Sequence, residues 1–128
     1  MSTILIVEDN DKNMKLVRDI LQHKGHATLE ASTGEEGVQL AIERRPDLVL
    51  MDIQLPGIDG IEALRRIRAQ PALDAMPVMA ISASVMPDDQ QKIVTSGFDA
   101  FITKPISLRP FLETVQRFLA QGRKSIPG

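Results

Sequence analysis

Five side chains able to do chemistry stand at the ends of short apolar runs. Ile4 to Val7 leads into Glu8 and Asp9, Leu48 to Met51 into Asp52, Pro77 to Ile81 into Ser82, and Ala100 to Thr103 into Lys104 and Pro105. If these runs are parallel strands of one open sheet, all five groups fall on its carboxyl edge, where such sheets bind ligands at the point of strand-order reversal. Three carboxylates within a few ångströms repel one another, so protons or a cation must neutralise them. A hard divalent ion suits an all-oxygen donor set with no His or Cys at hand. Mg2+ in particular takes one or two carboxylates and keeps positions open for phosphate oxygens. The lysine supplies a second positive charge for the same phosphate, and the serine hydroxyl can donate to another oxygen. Taken together, the five groups describe a site that handles phosphoryl groups.

Each residue alone has a plainer reading. A strand-end Asp such as Asp9 or Asp52 is by default a turn former or helix N-cap. Glu8 and Asp9 read equally well as a solvated pair before a helix whose N-terminus favours anions. Ser82 alone is a satisfied strand-end hydroxyl, and Lys104 alone is a surface charge. Only the joint placement on one edge turns the reading toward chemistry. His23 and His26 flank Gly25 at an expected helix end and carry no assigned role.

The elements that must deliver these groups are visible as alternating short apolar runs and longer amphipathic stretches, the pattern of βα units on a parallel sheet. Strands are predicted over Thr3 to Val7, His26 to Ala31, Asp47 to Met51, Pro77 to Ile81 and Ala100 to Thr103. Unbroken apolarity in Ile4 to Val7 and Leu48 to Met51 means burial on both faces. A helix is predicted from Asp11 to Lys24, with Met14, Leu16, Val17, Ile20 and Leu21 on one arc and Gly25 ending it. Thr33 with Glu36 reads as a capping box for a helix running to about Arg44, stopped by Pro46. Further helices are expected from near Asp59 to before Pro71, and from Ser107 to Leu119 with Leu108, Phe111, Leu112, Val115, Phe118 and Leu119 on one face. The segment from about Pro87 to Ser96 offers only Ile93 and Val94 as aliphatic anchors, so this helix is expected to be weakly held and able to move. Short right-handed connections then give an α/β doubly wound, flavodoxin-like sheet of five parallel strands, order 2-1-3-4-5, with helices on both faces.

Composition narrows the field. The 128 residues suit one domain, expected over 1–121 with a frayed tail at 122–128 and no output domain. The absence of cysteine excludes disulfides, thiolate metal sites and a cysteine nucleophile. A net charge of -2, with four Phe as the only aromatics, leaves no basic stripe or stacking platform for direct nucleic-acid binding. No apolar stretch approaches the ~20 residues that span a bilayer, and the N-terminus lacks a signal-peptide pattern, so a cytoplasmic location with no membrane association is expected.

The blocks ILIVEDN (Ile4 to Asn10), PDLVLMDIQLPGIDG (Pro46 to Gly60), ISA (Ile81 to Ala83) and ITKP (Ile102 to Pro105) resemble the signature blocks of response-regulator receiver domains, whose fold is CheY-like. Several separate blocks in the right order make the likeness specific across nearly the whole chain. Within the family, EDN at Glu8, NMKL at Asn13, DIQLP at Asp52 and KPIS at Lys104 are most similar to single-domain cell-division regulators. The resemblance implies Asp52 as phosphoacceptor, with Glu8, Asp9, Asp52 and the backbone carbonyl of Gln54 holding Mg2+. It implies Lys104 as the bridging cation, Ser82 as the switch hydroxyl and Phe101 as the aromatic that turns inward, though packing explains Phe101 equally well. Gln54 and Ser84 occupy the positions that tune the acyl-phosphate lifetime. The family often has Asp where this chain has Glu8 and Thr where it has Ser82; both variants keep the needed atoms.

The implied protein is a phosphorylation-switched signalling component rather than an enzyme, although it assists its own phosphorylation and dephosphorylation. Implied partners are sensor histidine kinases or histidine phosphotransfer proteins, and a downstream target bound through the fourth helix, fifth strand and fifth helix. Met14 and Ile106 are candidates for donor docking, each of which the core would claim equally well. A hydrolase of the haloacid dehalogenase type wants a second Asp two residues after the nucleophile, where this chain has Gln54. A nucleotide or flavin binder wants a Gly-rich turn after the first strand, where Glu8-Asp-Asn-Asp11 would repel phosphate. A constitutive pseudo-receiver typically lacks Asp52 or Lys104, and both are present.

Overall fold

The computed structural model describes residues 2–83 and 86–122. Strand β1 (Thr3–Val7) leads into helix α1 (Asp11–His23), β2 (Ala27–Ala31) into α2 (Gly34–Arg44), and β3 (Leu48–Asp52) into α3 (Gly60–Arg68). A 3-10 turn at Pro71–Leu73 precedes β4 (Val78–Ser82), which is followed by α4 (Pro87–Thr95), β5 (Ala100–Thr103) and α5 (Leu108–Gln121). Every strand pair is parallel and the sheet order is β2-β1-β3-β4-β5, the doubly wound topology expected. Nothing in the sequence reading anticipated the 3-10 turn.

Period-two alternation within the central strands divides the core in two. Leu5, Val7, Val49, Met51, Val78 and Ala80 face α2 and α3. Ile4, Ile6, Leu48, Leu50, Met79 and Ile81 face α1 and α5, where Val17, Leu21, Phe111, Val115 and Phe118 close the second core. Each such aliphatic or phenyl side chain contributes about 1.5–3 kcal/mol on leaving water. Three of the apolar residues assigned to helix faces from periodicity point elsewhere: Leu16, Val94 and Leu108 are exposed. An arc on a helical wheel is wider than the strip that meets the sheet, and residues at its margin stay in water.

Side-chain caps start three of the helices. Asn10 Oδ1 accepts from the Asn13 N–H (3.0 Å), Thr33 Oγ1 from Glu36 (3.1 Å) and Asp59 Oδ1 from Glu62 (2.9 Å). The Glu36 carboxylate reaches back to the N–H of Ser32 at 2.8 Å, one residue before the cap, so the reciprocal bond is displaced from the capping-box pattern. Helix α4 begins at Pro87 with no side-chain cap bond, and Ile93 is its one buried residue. That matches the expectation of weak anchoring.

At the amino end of the sheet, opposite the candidate site, Arg68 ties α3 to β4 and β5. Its guanidinium donates to Met76 O (2.8 Å), Leu73 O (3.2 Å) and Asp99 Oδ2 (3.0 Å), and Asp99 also accepts from the Val78 N–H at 2.8 Å. Asp99→Ala removes the anion from a mostly buried pair and should cost about 2–3 kcal/mol. A urea titration should show that loss as a lower midpoint with an unchanged slope.

Candidate functional site

Strand geometry brings the predicted side chains to one edge and fixes their backbones. The Glu8 N–H donates to Ala31 O (2.9 Å), the Ile53 N–H to Ile81 O (3.0 Å) and the Lys104 N–H to Ser82 O (2.8 Å), so the sheet ladder runs one residue into the site. Asp52 and Ser82 are themselves the last residues of β3 and β4, not the first residues of loops. Each strand therefore delivers its functional group from a rigid ladder position rather than from a mobile connection.

One oxygen each of Glu8, Asp9 and Asp52 lie within 4.8 Å of one another. Glu8 and Asp52 are only 5% and 3% exposed, while Asp9 faces solvent. Lys104, from the turn after β5 and preceding a cis bond to Pro105, sets its Nζ 2.8 Å from Asp52 Oδ2 and 3.0 Å from Glu8 Oε1. The remaining oxygens take backbone donors: Asp52 Oδ1 accepts from the Gln54 N–H at 3.0 Å and Glu8 Oε2 from the Asn10 N–H at 3.1 Å. Burial and then the neighbouring Asp52 push the Glu8 carboxyl above its ordinary range, against the opposing pull of Lys104. Burial disfavours the Lys104 ammonium, but its bonds to Asp52 and Glu8 outweigh that, and its pKa is raised. The site is thus an anion-rich cup with one fixed cation. Its open side presents carboxylate oxygens of the type and spacing a hard divalent cation takes.

Ser82 is 3% exposed at the end of β4, on the strand beside Asp52. Phe101, on β5, is half-buried and packs on the core beneath α2 and α3. Gln54 is exposed just past Asp52, and Ser84 lies outside the described residues. Of the two docking candidates, Ile106 is half-buried against the α1/α5 core and Met14 is 7% exposed within it. Met14 packs within the core between α1, α5 and the sheet and presents little surface to a partner.

Two features escaped the sequence reading. The first is the second partner of Lys104, Glu8, which depends on side-chain reach across the sheet. The second is Gly60: a Cβ there would run into the Asp52 carbonyl and lie 2.9 Å from Ile53 Cα, while the Gly60 N–H closes the loop on Ile53 O at 2.9 Å. The Asp59-Gly60 pair, a cap followed by a glycine, was the available signal.

A doubly wound sheet with acidic groups, a hydroxyl and a lysine converging at its carboxyl edge defines a phosphoryl-type receiver site. The family model of the response regulator receiver domain matches residues 4–116, and the chain belongs to that family. It is 43% identical over 120 residues to the polar-differentiation response regulator DivK of Brucella anthropi and 42% identical to that of Brucella ovis, covering 94% of this chain and 98% of each relative. Among solved structures it resembles the receiver domain of a sensor histidine kinase from Pseudomonas aeruginosa, solved with a magnesium ion in the active site cleft (TM-score 0.87, 30% identity, 93% and 98% of the two chains). It also resembles the chemotaxis response regulator CheY4 of Vibrio cholerae (TM-score 0.85, 26% identity, 91% and 98%). The chain is a DivK-like response regulator of two-component signalling.

Gly60→Ala should cost about 1–3 kcal/mol, because the methyl group meets backbone, which cannot rotate aside. Chemical denaturation measures the loss, and amide shifts of Ile53 and Gln54 should move with it while those around Asp99 stay.

Proposed function

We propose that Asp52 accepts a phosphoryl group from a phosphohistidine donor in a Mg2+-dependent reaction, and that the modification switches binding to a partner protein. The observation that carries this reading is the ion pair of Lys104 Nζ with Asp52 Oδ2 at 2.8 Å inside a three-carboxylate cluster. The Lys104 ammonium holds the Asp52 side chain in place and can transfer its attraction to an incoming phosphoryl oxygen.

In the forward step an Asp52 carboxylate oxygen attacks phosphorus in line, and the bond from phosphorus to the donor imidazole nitrogen breaks, its electron pair returning to the ring. Lys104 stabilises charge on the transferring oxygens, and Ser82 donates its hydroxyl to one of them once transfer is complete. The Gln54 N–H on Asp52 Oδ1 keeps the carboxylate oriented. Glu8, Asp9, Asp52 and the Gln54 carbonyl would hold Mg2+, which when bound supplies Lewis-acid neutralisation of the phosphoryl oxygens. A small donor such as acetyl phosphate should serve as well, since the receiver supplies these groups itself. Gln54 and Ser84 tune how long the acyl phosphate survives. The protein assists its own modification and its reversal, which is self-directed chemistry rather than turnover of a separate substrate.

Readout follows from what is least anchored. Phosphoryl charge beside Ser82 and Lys104 biases the region after β4, where α4 has Ile93 alone in the core, with Phe101 following Ser82. The surface of α4, β5 and α5 then engages the downstream target. Sensor histidine kinases or histidine phosphotransfer proteins dock near the open edge of α1 and Ile106. The likeness to DivK supports a role in polar differentiation and the cell cycle. No helix among the described residues is long and apolar enough to cross a membrane, and a cytoplasmic location fits these partners.

Incubation with Mg2+ and acetyl phosphate should give an acid-stable, base-labile adduct by intact mass. Asp52→Asn should abolish it, and an equal adduct on that variant would overturn the assignment. Lys104→Met should slow adduct formation about a hundredfold. The same variant should destabilise the metal-free protein by about 2 kcal/mol, since it leaves two buried carboxylates without their cation. Calorimetry should then show Mg2+ raising its melting temperature by more than it raises that of the wild type.

A further inference from the structure

Three residues, Glu8, Asp9 and Asn10, connect β1 to α1, and the first two belong to the acidic cluster. The connection is fixed at both ends. Glu8 donates its N–H to Ala31 O at 2.9 Å, and both oxygens of its side chain are engaged, Oε1 by Lys104 at 3.0 Å and Oε2 by the Asn10 N–H at 3.1 Å. Asn10, extended at φ -92° and ψ 119°, accepts the Asn13 N–H on Oδ1 at 3.0 Å and the Met14 N–H on its carbonyl at 2.9 Å. Asp9 stands exposed between these anchors, so its backbone is set by the ladder bond on one side and the helix cap on the other. Asn10 therefore touches the acidic cluster through its N–H and the first turn of α1 through its side chain. A carboxylate ligates a metal best when a neighbouring donor fixes its orientation, and a backbone N–H keeps that role only while its own torsion angles are held. The Oδ1 cap holds them, because it partners an amide at the helix start that no carbonyl within the helix can reach.

We propose that Asn10 is a positioning residue that couples the acidic cluster to helix α1: its cap sets the affinity for Mg2+, and Mg2+ in turn orders the first turn of α1. The inference rests on the reading of Glu8, Asp9 and Asp52 as Mg2+ ligands. Coupling of this kind is reciprocal, so a donor protein that docks on α1 and holds its first turn raises the affinity for Mg2+ by the same factor by which Mg2+ raises the affinity for the donor. Metal binding and donor docking are thereby linked through one exposed side chain, whose replacement removes a cap without opening the core.

The test compares wild type with Asn10→Ala, which removes the cap, and Asn10→Ser, which keeps a capping oxygen. A third variant, Thr33→Ala, removes the equivalent cap from α2 and lies outside the acidic cluster. Calorimetric titration of the metal-free proteins with Mg2+ should give a Kd about fivefold higher in Asn10→Ala, the factor that a cap of ~1 kcal/mol supplies, and within about twofold of wild type in the other two. Both alanine variants should melt lower by similar amounts, so a weaker metal site in only one of them does not follow from lost stability. Amide hydrogen exchange adds a second readout: saturating Mg2+ should slow the Asn13 amide about threefold in wild type and Asn10→Ser, and leave it unchanged in Asn10→Ala. The Glu36 amide, capped by Thr33, should be indifferent to Mg2+ in the wild type. An unchanged Kd in Asn10→Ala, no recovery in Asn10→Ser, an equal rise in Thr33→Ala, or a wild-type Asn13 amide blind to Mg2+ would overturn the proposal while leaving Asp52 as acceptor. Absence of Mg2+ binding by the wild type would remove the proposal and the metal reading together.

Discussion

Everything at the functional edge depends on one ammonium group shared by two buried carboxylates. Strands in a sheet lie about 4.8 Å apart, so the end of β5 is roughly 10 Å from that of β3 and farther from β1. Only a side chain with the length of lysine spans the β4 strand between them, and Lys104 reaches Asp52 at 2.8 Å. Glu8 leans in from the far side to meet the same nitrogen at 3.0 Å, a contact for which its extra methylene over aspartate supplies the reach. This gives a physical reason for glutamate at that position beyond its value as a metal ligand. Buried ion pairs of this kind roughly break even against solvation, so the cluster is not what makes the chain fold. The two apolar cores do that, and they carry a charged site whose groups are held ready in place.

The molecule is asymmetric from end to end in a way that suits a switch. At the amino end, the Arg68 and Asp99 network ties α3, β4 and β5 together through charge-assisted bonds in a nearly dry setting. At the carboxyl end, the chain after β4 enters a helix with no side-chain cap and a single buried anchor. Local opening free energies follow buried apolar contact and bonded termini, so α4 is the low-stability element and the base of the sheet is the fixed frame. The least anchored helix thereby starts at the edge of the sheet that carries the acidic cluster.

Much of this was readable from residue order because the physics is local or periodic. Unbroken apolar runs located β1 and β3, and the residues that break those runs, Asp52 above all, located the site. Thr33, read as a cap, placed a helix start for the same reason. What failed depended on distances that no periodicity encodes. Leu16 and Leu108 lie on apolar arcs of their helices yet project past the edge of the sheet into water, whereas Met14, at the rim of the same arc as Leu16, is drawn into the core. The need for Gly60 arises from the Asp52 backbone folded behind it, a closeness created by the loop and invisible in its composition.

The backbone bonds around Ser82 restrict how a signal can leave the site. Its carbonyl accepts from the Lys104 N–H on one side, and the adjacent Ile81 carbonyl accepts from the Ile53 N–H on the other, so the end of β4 is stitched to both neighbouring strands. Moving that backbone would break ladder bonds in a nearly dry interior, each unsatisfied group costing about 1–3 kcal/mol. A change of Ser82 rotamer leaves those ladder bonds intact. A side-chain rearrangement at Ser82 would therefore leave the sheet frame as it is, and the least anchored element after β4 is α4, with Ile93 its one buried residue.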